Sequence, residues 1–345
     1  MKKELCGYTE EELRGWLKEQ GEKPFRAQQI FEWAYQKGAE KWEDMTNLSK
    51  QLRSKLEEAV DFSCLTLAKT QDCIEKETTK FLWKLKDEKF VESVLIRAPG
   101  RRTVCVSSQV GCPARCAFCA SGKEGLIRNL SVAEIVEQVV QIDRLLKKEN
   151  ERVCHVVFMG MGEPFENYEN VLKAIAILNT EQGLHISHRK ITVSTVGIVD
   201  KIVQFAEDNG KVNLALSLHA PNQKIRQKII PYARKYALEE ILEAMVFFAK
   251  KTKRDITYEY TLLSQINDQK EHAQELAQLV KKHPCTVNLI PYNPILGMRL
   301  ERPAKETIEE FREILESAKI PTTWRYTKGK DIAAACGQLA LTKAP

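Results

Sequence analysis

The pattern of apolar and polar positions divides the chain into three regions. Over the first 60 residues, apolar side chains recur at spacings of three and four in LRGWLKEQ, FRAQQIFEWAYQKG and SKQLRSKLEEAV. This spacing predicts helices. The following stretch TKFLWKLKDEKFVESVLI indicates two strands around a KDEK turn. We therefore predict an N-terminal helical accessory domain over residues 1–60 and a short β-rich linker over residues 61–104.

From about residue 130, helical and β patterns alternate. Stretches such as SVAEIVEQVVQIDRLLKK are typical of helices, and they alternate with six β-rich runs: VCHVVFMG, KITVSTVG, VNLALSLHA, DITYEYTLL, TVNLIPYN and TTWRYT. This alternation predicts an α/β domain over residues 105–345, with a parallel sheet that is either doubly wound or a barrel short of eight units. Ligands bind beyond the carboxyl ends of such strands, which here carry GMGE, STVG, SLHA and PYNP.

Composition and charge narrow the class of protein. No apolar run reaches the length of about 20 residues that a membrane helix needs, and the first residues are polar and acidic, unlike a signal peptide. We therefore expect a cytoplasmic protein with no membrane partner. The last five residues, LTKAP, are expected to be frayed.

The excess of positive charge lies outside the N-terminal helices. Lys and Arg number 53 and Asp and Glu 47, a net charge of +6, although the first 60 residues carry 11 basic and 12 acidic side chains. Residues 221–235 hold five basic residues and no acid, as a site for RNA phosphates would, and a solvated face explains the same pattern equally well. Smaller candidates for RNA contact are Arg26 and the group Arg97, Arg101 and Arg102.

Cysteine usage points to metal or redox chemistry. The chain has ten cysteines and is expected in a reducing compartment, where structural disulfides are rare. Many of the ten are expected to be inert buried thiols. Cys112, Cys116 and Cys119 form a C-x3-C-x2-C motif. A structural zinc site has four protein ligands, whereas an iron–sulfur cubane held by three cysteines leaves one iron free to bind a small molecule. The spacing alone leaves zinc or chance as alternatives.

This motif resembles that of the radical S-adenosylmethionine (SAM) superfamily. The segment FMGMGEP resembles the one that these enzymes place against the SAM amino group, where Glu163 would offer a carboxylate to an ammonium. The resemblance implies a partial (β/α)6 radical SAM barrel, with a 4Fe–4S cluster on the three cysteines.

A finer resemblance is to the RlmN family of dual-specificity RNA methyltransferases, which make 2-methyladenosine. It is carried in order by KPFRAQQIFEWAY, CVSSQVGC, FMGMGEPFENY, VSTVG, SLHAPN, NLIPYNP and DIAAACGQL. The last motif departs from the family, because Ala333 stands where an acidic residue is more usual. The related Cfr family, which methylates adenosine C8, is the alternative, and GMGEPFENY and Pro291-Tyr292 favour RlmN. An alternative of another class is a zinc-dependent RNA-binding protein without catalysis.

The resemblance implies a reaction cycle. Adenine C2 has no lone pair with which to attack a methyl sulfonium, whereas a carbon radical can add to it. Cys336 would take a methyl group from one SAM, and a radical from a second SAM would abstract hydrogen from that methyl group before it adds to C2. Glu92 would remove the C2 proton, and Cys105 would release the product by forming a disulfide with Cys336.

The resemblance also implies ligands and partners. The SAM contacts would be Gly162, Glu163, Ser194, Ser217, Leu218, His219 and Asn293. The substrates would be 23S ribosomal RNA and transfer RNA, and the target adenosine must be unstacked before it can react. An electron donor such as a flavodoxin-type reductant is expected, and the chain is expected to act as a monomer.

Overall fold

The N-terminal residues form a helical module, as predicted. In the computed structural model, which describes residues 2–324 and 328–340, Thr9 begins the first helix with a capping box to Glu12. Two short parallel strands join the start and the end of the module, with Lys3 opposite Val60. The elements are β1 (Lys3–Glu4), α1 (Glu10–Glu19), α2 (Arg26–Phe31), α3 (Lys50–Ala59) and β2 (Val60–Asp61).

The β-rich linker continues directly into the main sheet. Its antiparallel strands are β3 (Leu65–Asp72), β4 (Thr78–Leu85), β5 (Phe90–Ala98) and β6 (Arg101–Cys105). The predicted hairpin around the KDEK turn is confirmed as the β4–β5 pair. Strand β6 also pairs in parallel with a later strand, so the expected boundary between residues 104 and 105 falls inside a strand of the barrel.

The six β-rich runs of the second half all form strands. They are β9 (His155–Phe158), β10 (Ile191–Thr195), β11 (Asn213–Ser217), β12 (Ile256–Leu262), β13 (Cys285–Pro291) and β14 (Thr322–Trp324), and the small hairpin β7 (Gln109–Gly111) and β8 (Leu126–Asn129) precedes them. The ten-stranded sheet has the order β14-β13-β12-β11-β10-β9-β6-β5-β4-β3, parallel from β14 to β6. The predicted α/β partial barrel is confirmed. The tail, residues 341–345, for which we expect fraying, lies outside the described residues.

Helices connect the parallel strands. They are α4 (Val132–Lys148), α5 (Tyr168–Asn179), α6 (Val199–Asp208), α7 (Gln223–Ile229), α8 (Leu238–Thr252), α9 (Lys270–Val280) and α10 (Lys305–Ser317). The sequence patterns predicted five of these but not α6 and α7. Shorter helical turns occur at Leu5–Gly7, Glu32–Gln36, Trp42–Asp44, Ala120–Gly122, Pro164–Asn167, His188–Lys190 and Pro231–Arg234.

The two faces of the sheet differ in polarity. In β12 the apolar residues alternate with polar ones, so that one face packs on helices and the other lines the concave side of the barrel. Tyr260 is on the helix side, where its ring lies 5.3 Å from that of Phe311 in α10. Glu259 is on the concave side, where its carboxylate accepts a 2.6 Å hydrogen bond from Asn288 of β13. The concave side therefore carries polar groups at the place where a ligand would bind.

Candidate active site

One cavity lies at the carboxyl ends of the parallel strands. It collects residues from the loop after β7, from the ends of β9 to β13, and from the C-terminal segment, residues 328–340. Of the residues expected to carry chemistry, its lining includes Cys112, Cys116, Cys119, Gly162, Glu163, Ser194, Ser217, His219, Asn293 and Cys336. Leu218 is fully buried and is not part of the lining. The barrel thus brings together residues that are up to 224 positions apart, from Cys112 to Cys336.

The loop that carries the three cysteines is shaped by glycines. Gly111, just before Cys112, has φ +80, and a Cβ there would lie 2.0 Å from the carbonyl oxygen of Gly125. That close approach lets the Cys112 N–H donate to the same carbonyl at 3.0 Å. The loop also contacts the barrel, because the Ala117 N–H donates to the Ile229 carbonyl at 2.8 Å. The cysteine loop is therefore held against the end of α7.

The three thiols lie in a poorly solvated place. Burial raises the pKa of Cys112 to about 12 and raises the pKa of Cys116 well above its usual value. Such thiols become thiolates when a soft metal centre compensates the lost hydration. In residues 2–324 and 328–340, no three His, Cys, Asp or Glu side chains are grouped around the position of a single metal ion. An iron–sulfur cubane does not need such a grouping, because each thiolate binds a different iron atom of the cluster.

Glu163 follows strand β9 and is fully buried. Its Oε1 accepts the N–H of Phe165 at 3.0 Å and its Oε2 that of Val196 at 2.8 Å. Burial outweighs these hydrogen bonds and raises the pKa of the carboxyl to about 7. A neighbouring ammonium group would favour the ionised form. The carboxylate is thus fixed in position, and a cationic ligand would stabilise its ionised form.

The next strand ends supply small polar groups. The hydroxyls of Ser194 in β10 and Ser217 in β11 lie 3.1 Å apart. Gly162 has φ +110, and a Cβ there would lie 2.7 Å from the Ser108 hydroxyl. The glycine thus allows close packing against Ser108, and the two serines offer hydroxyl groups to a ligand in the cavity.

His219 is held as a neutral imidazole. Its Nδ1 accepts the N–H of Thr261 at 2.9 Å, which leaves the proton on Nε2. Burial, with the nearby charge of Arg226, lowers the pKa of His219 to about 3. The edge of its ring contacts Phe118 of the cysteine loop at a centroid distance of 4.7 Å. His219 therefore offers a neutral N–H donor beside the three cysteines.

The C-terminal segment closes one side of the cavity. Asn293 donates to the Cys336 carbonyl at 3.2 Å, and its buried Oδ1 has no hydrogen-bond partner among the described residues. The Ala120 N–H, next to Cys119, donates to the Gly337 carbonyl at 2.7 Å. These bonds place the exposed Cys336 in the same cavity as the cysteine loop. An open acceptor on Asn293 suits a ligand that carries N–H donors, such as adenine.

Glu92 and Cys105 lie on the concave face but outside the lining of this cavity. Cys105 pairs with Val94 across β5 and β6, so the Glu92 side chain, two residues before Val94, points to the same face as Cys105. Glu92 is 2% exposed, lies 3.1 Å from Lys80 Nζ, and accepts the Ala340 N–H at 3.0 Å. The C-terminal segment that carries Cys336 thus also contacts Glu92.

Several of the basic residues expected to contact RNA are buried or lie beside carboxylates. Arg226, one of the five in residues 221–235, is completely buried. Arg102 forms a two-pronged ion pair with Glu151, and Arg97 lies 3.8 Å from Glu149. The basic side chains that remain exposed in residues 221–235 are Lys224, Lys228, Arg234 and Lys235.

Sequence reasoning missed three charged residues of the site. Lys80, Arg226 and Glu259 are buried and lie beside the residues described above. Lys80 and Glu259 could have been noticed as charges on the polar side of alternating strands. Arg226 carried no such signal, because it stood among exposed basic residues.

Comparison with known proteins identifies the class. Residues 106–277 match the model of the radical SAM superfamily. A crystal structure of a radical SAM methyltransferase from Sphaerobacter thermophilus is 41% identical, with a TM-score of 0.96 over 99% of this chain and 100% of that one. The protein is a radical SAM enzyme, and its cofactors are a 4Fe–4S cluster and SAM. The thiol donors and the open polar acceptor of the cavity fit these two groups.

The family follows from closer relatives. Residues 3–61 match the model described as the ribosomal RNA large subunit methyltransferase N-terminal domain. A probable dual-specificity RNA methyltransferase RlmN 2 from Protochlamydia amoebophila is 58% identical, over 98% of this chain and 94% of its own length. A probable RlmN from Lysinibacillus sphaericus is 47% identical, over 98% and 89%.

The chain belongs to the RlmN family of dual-specificity RNA methyltransferases, and its substrates are RNA. None of the described helices combines the length and apolar character that a membrane crossing needs.

Proposed function

We propose that the enzyme methylates C2 of an adenosine in 23S ribosomal RNA, at the peptidyl transferase centre, and of the adenosine 3′-adjacent to the anticodon in transfer RNA. The observation that carries this proposal is that Cys336 shares one cavity with the three-cysteine loop and the polar strand ends. A carbon without a lone pair cannot take a methyl group by displacement. A thiol that carries the methyl group to it, next to the cofactors, answers that requirement.

The cavity residues would hold both cofactors. Cys112, Cys116 and Cys119 would bind the cluster, and Gly162, Glu163, Ser194, Ser217, the Leu218 backbone, His219 and Asn293 would bind SAM. When bound, the cluster and two SAM molecules per turnover supply the methyl group and the radical chemistry that activates it. The protein would supply position, because the Glu163 carboxylate could bind the SAM ammonium and Asn293 Oδ1 could accept a hydrogen bond from adenine.

Cys336 would act as the methyl carrier. Its thiol would lose a proton, and the thiolate sulfur would take the methyl group of SAM by displacement, with S-adenosylhomocysteine as the leaving group. Its exposure in the cavity supports this role, since neither the methyl donor nor the RNA base could reach a buried thiol. The bonds from Asn293 and Ala120 to the backbone at Cys336 and Gly337 would orient the carrier toward both.

Glu92 and Cys105 would complete the reaction. After the methylene carbon joins C2, the resulting radical adduct would lose one electron, which the oxidised cluster would accept, and one proton, which the Glu92 carboxylate would take. The Cys105 thiolate then attacks the Cys336 sulfur, so that a disulfide forms as the carbon–sulfur bond breaks and the released carbon takes a proton. A two-electron reductant restores the thiols. Glu92 must first lose its bond to Ala340, which couples the base to movement of the carrier segment.

The partners follow from this chemistry. A flavodoxin-type reductant would supply electrons, and a single chain would suffice because one barrel holds every proposed group. Lys224, Lys228, Arg234 and Lys235 would contact RNA phosphates beside the strand ends.

Nucleoside analysis tests the proposed product. Ribosomal and transfer RNA from a deletion strain should lack 2-methyladenosine, and the native gene should restore it in both. A Cys336→Ala gene should restore neither, whereas Cys154→Ala, a half-buried cysteine outside the cavity, should restore both. If 8-methyladenosine were the only product, the C2 assignment would be wrong. Retained methylation in the Cys336 variant would contradict the carrier role.

A further inference from the structure

Arg226 in α7 is an arginine removed from solvent, and no carboxylate among the described residues is bound to it. It is 0% exposed. Its Nε donates to the Leu218 carbonyl at 3.2 Å, and its Nη2 donates to the carbonyls of Ser217, at 3.2 Å, and Val196. Backbone carbonyls compensate a buried positive charge only in part. A further negative group near Arg226 would compensate the rest of this buried positive charge.

One donor of this guanidinium remains unused. Nη1 is buried and has no hydrogen-bond acceptor within the described part of the chain. The acidic groups that act on Arg226 are the Cys116 thiol and the Glu163 carboxyl. Burial lowers the pKa of Arg226 to about 10, so the group stays charged at neutral pH. The buried cation therefore lies on the helix whose end binds the cysteine loop, and its charge acts on Cys116.

The surroundings hold Arg226 in this position. The Ala117 N–H, between Cys116 and Cys119, donates to the carbonyl of Ile229 at the end of the same helix. Phe118 contacts His219, three residues before α7 begins at its N-cap Asn222. The three carbonyls that Arg226 holds belong to the ends of β10 and β11, which carry Ser194 and Ser217. One side chain thus connects the cysteine loop to the strand ends of the cavity.

We propose that Arg226 is a positioning residue that stabilises the reduced form of the iron–sulfur cluster through its buried positive charge. The cluster gains one negative charge on reduction, so a fixed cation nearby favours the reduced form more than the oxidised form. The hydrogen-bonding side of the same guanidinium holds the strand ends. This inference rests on the proposed binding of the cluster by Cys116.

The test is the reduction potential of the reconstituted, full-length enzyme without SAM, measured by a redox titration followed by electron paramagnetic resonance. Arg226→Gln removes the charge, Arg226→Lys keeps it without the planar fork, and Lys228→Gln on the same helix is an exposed control. We expect Arg226→Gln to lower the ratio of reduced to oxidised cluster at a fixed potential by about tenfold. Arg226→Lys and Lys228→Gln should leave the ratio near the native value.

Further measurements decide the other outcomes. Both Arg226 variants should unfold at lower temperature in the cluster-free state, because both lose bonds to the strand ends. Equal potentials in the Gln variant and the native enzyme would overturn the proposal, as would equal shifts in the Gln and Lys variants. If the Gln variant fails to load iron while the Lys variant loads, the charge is needed to hold the cluster, which supports it. If both remain folded and neither loads, Arg226 only shapes the loop, which contradicts it.

Iron content separates this inference from the proposed function. Cys116→Ala should lose the normal cluster signal after reconstitution. A native signal in that variant would remove the cluster assignment itself, whereas a normal potential in Arg226→Gln would remove only the role of Arg226.

Discussion

At the scale of residues, the site depends on groups whose environments set their protonation and their reach. His219 is a neutral donor because Thr261 uses its Nδ1. Burial raises the pKa of the Glu163 carboxyl to about 7, and a cationic ligand would favour its ionised form. Glu92 is paired with Lys80 and accepts a hydrogen bond from Ala340 of the C-terminal segment. The two cysteines differ in exposure, since Cys336 is exposed and Cys105 is half-buried on the concave face. Two predictions follow from these differences.

Replacing Cys105 tests product release. In Cys105→Ala the proposed methyl carrier Cys336 and the proposed base Glu92 remain, so methylene addition to RNA should proceed, while the proposed attacking thiol is absent. We expect an RNA–protein adduct that migrates as one band on a denaturing gel with labelled RNA. Cys154→Ala, also half-buried, should turn over without an adduct. Normal turnover of Cys105→Ala would refute the resolving role.

Glu163 should make the stability of the cofactor-free protein depend on pH. Its pKa is raised to about 7 in the folded protein, so the unfolded chain binds fewer protons between its ordinary value of 4.5 and 7. The free energy of unfolding should therefore fall as pH rises through this window, by on the order of 3 kcal/mol. Urea titrations at several pH values measure it.

The matched variants are Glu163→Gln and Glu169→Gln. The first should abolish this part of the pH dependence, whereas the second, at an exposed position six residues along, should keep it. A native-like decline with pH in Glu163→Gln would assign the effect to another group.

At the scale of elements, the loop between β7 and β8 is the part that shapes the proposed cluster site. The hairpin supports Cys112 at one end, the contact to Ile229 supports the middle, and the contact to Gly337 supports the far end. Each support is a backbone hydrogen bond, so the loop geometry depends on backbone approach more than on side-chain identity. Glycines are needed where two backbone segments meet.

Gly111→Ala should therefore impair cluster binding. A Cβ at this residue would lie 2.0 Å from the Gly125 carbonyl oxygen, and φ is +80, so the hairpin must open. We expect a loss of most bound iron after anaerobic reconstitution, measured by iron analysis and visible absorption. In Gly15→Ala, a helical position with nothing within 4 Å of the added Cβ, iron content should stay native and stability should rise by about 0.5–1 kcal/mol. Full iron loading of Gly111→Ala would show that the close approach is dispensable.

At the scale of the whole molecule, a buried carboxylate connects the linker to the barrel. Glu137 of α4 is 1% exposed, and its Oε2 accepts the Cys64 N–H at 2.7 Å. It also accepts bonds from the hydroxyl of Ser63 and from Gln141. The linker thus leaves the N-terminal module already bonded to the first helix of the barrel.

Glu137→Ala should destabilise the whole chain. It leaves the buried N–H of Cys64 without its acceptor, which costs roughly 1–3 kcal/mol. Urea unfolding should show this loss, and Glu149→Ala, which removes a carboxylate that is 55% exposed just after the same helix, should change stability by less than about 0.5 kcal/mol. Equal stability of the two variants would mean that this connection contributes little.

The sequence by itself determined the repeating elements. Spacings of three and four determined the N-terminal helices, and the alternation of helical and β-rich runs determined the parallel sheet. Periodicity is sufficient here because each element must bury one apolar face. It missed α6 and α7, which join adjacent strands between the runs. It also ended the linker inside β6, since a strand that pairs on both sides carries no mark of the domain to which it belongs.

The candidate site also combines features that the sequence determined with features that only the tertiary structure decided. The C-x3-C-x2-C motif is local, so the sequence alone pointed to a metal centre and, through the family motifs, to SAM and RNA. Only the tertiary structure decided that Cys336 enters the cavity, that Glu92 is bonded to the C-terminal segment, and that Arg226 is buried beside Cys116 instead of facing RNA. The physical reason is that burial and charge compensation arise from residues distant in the chain, which the barrel alone brings within hydrogen-bonding distance.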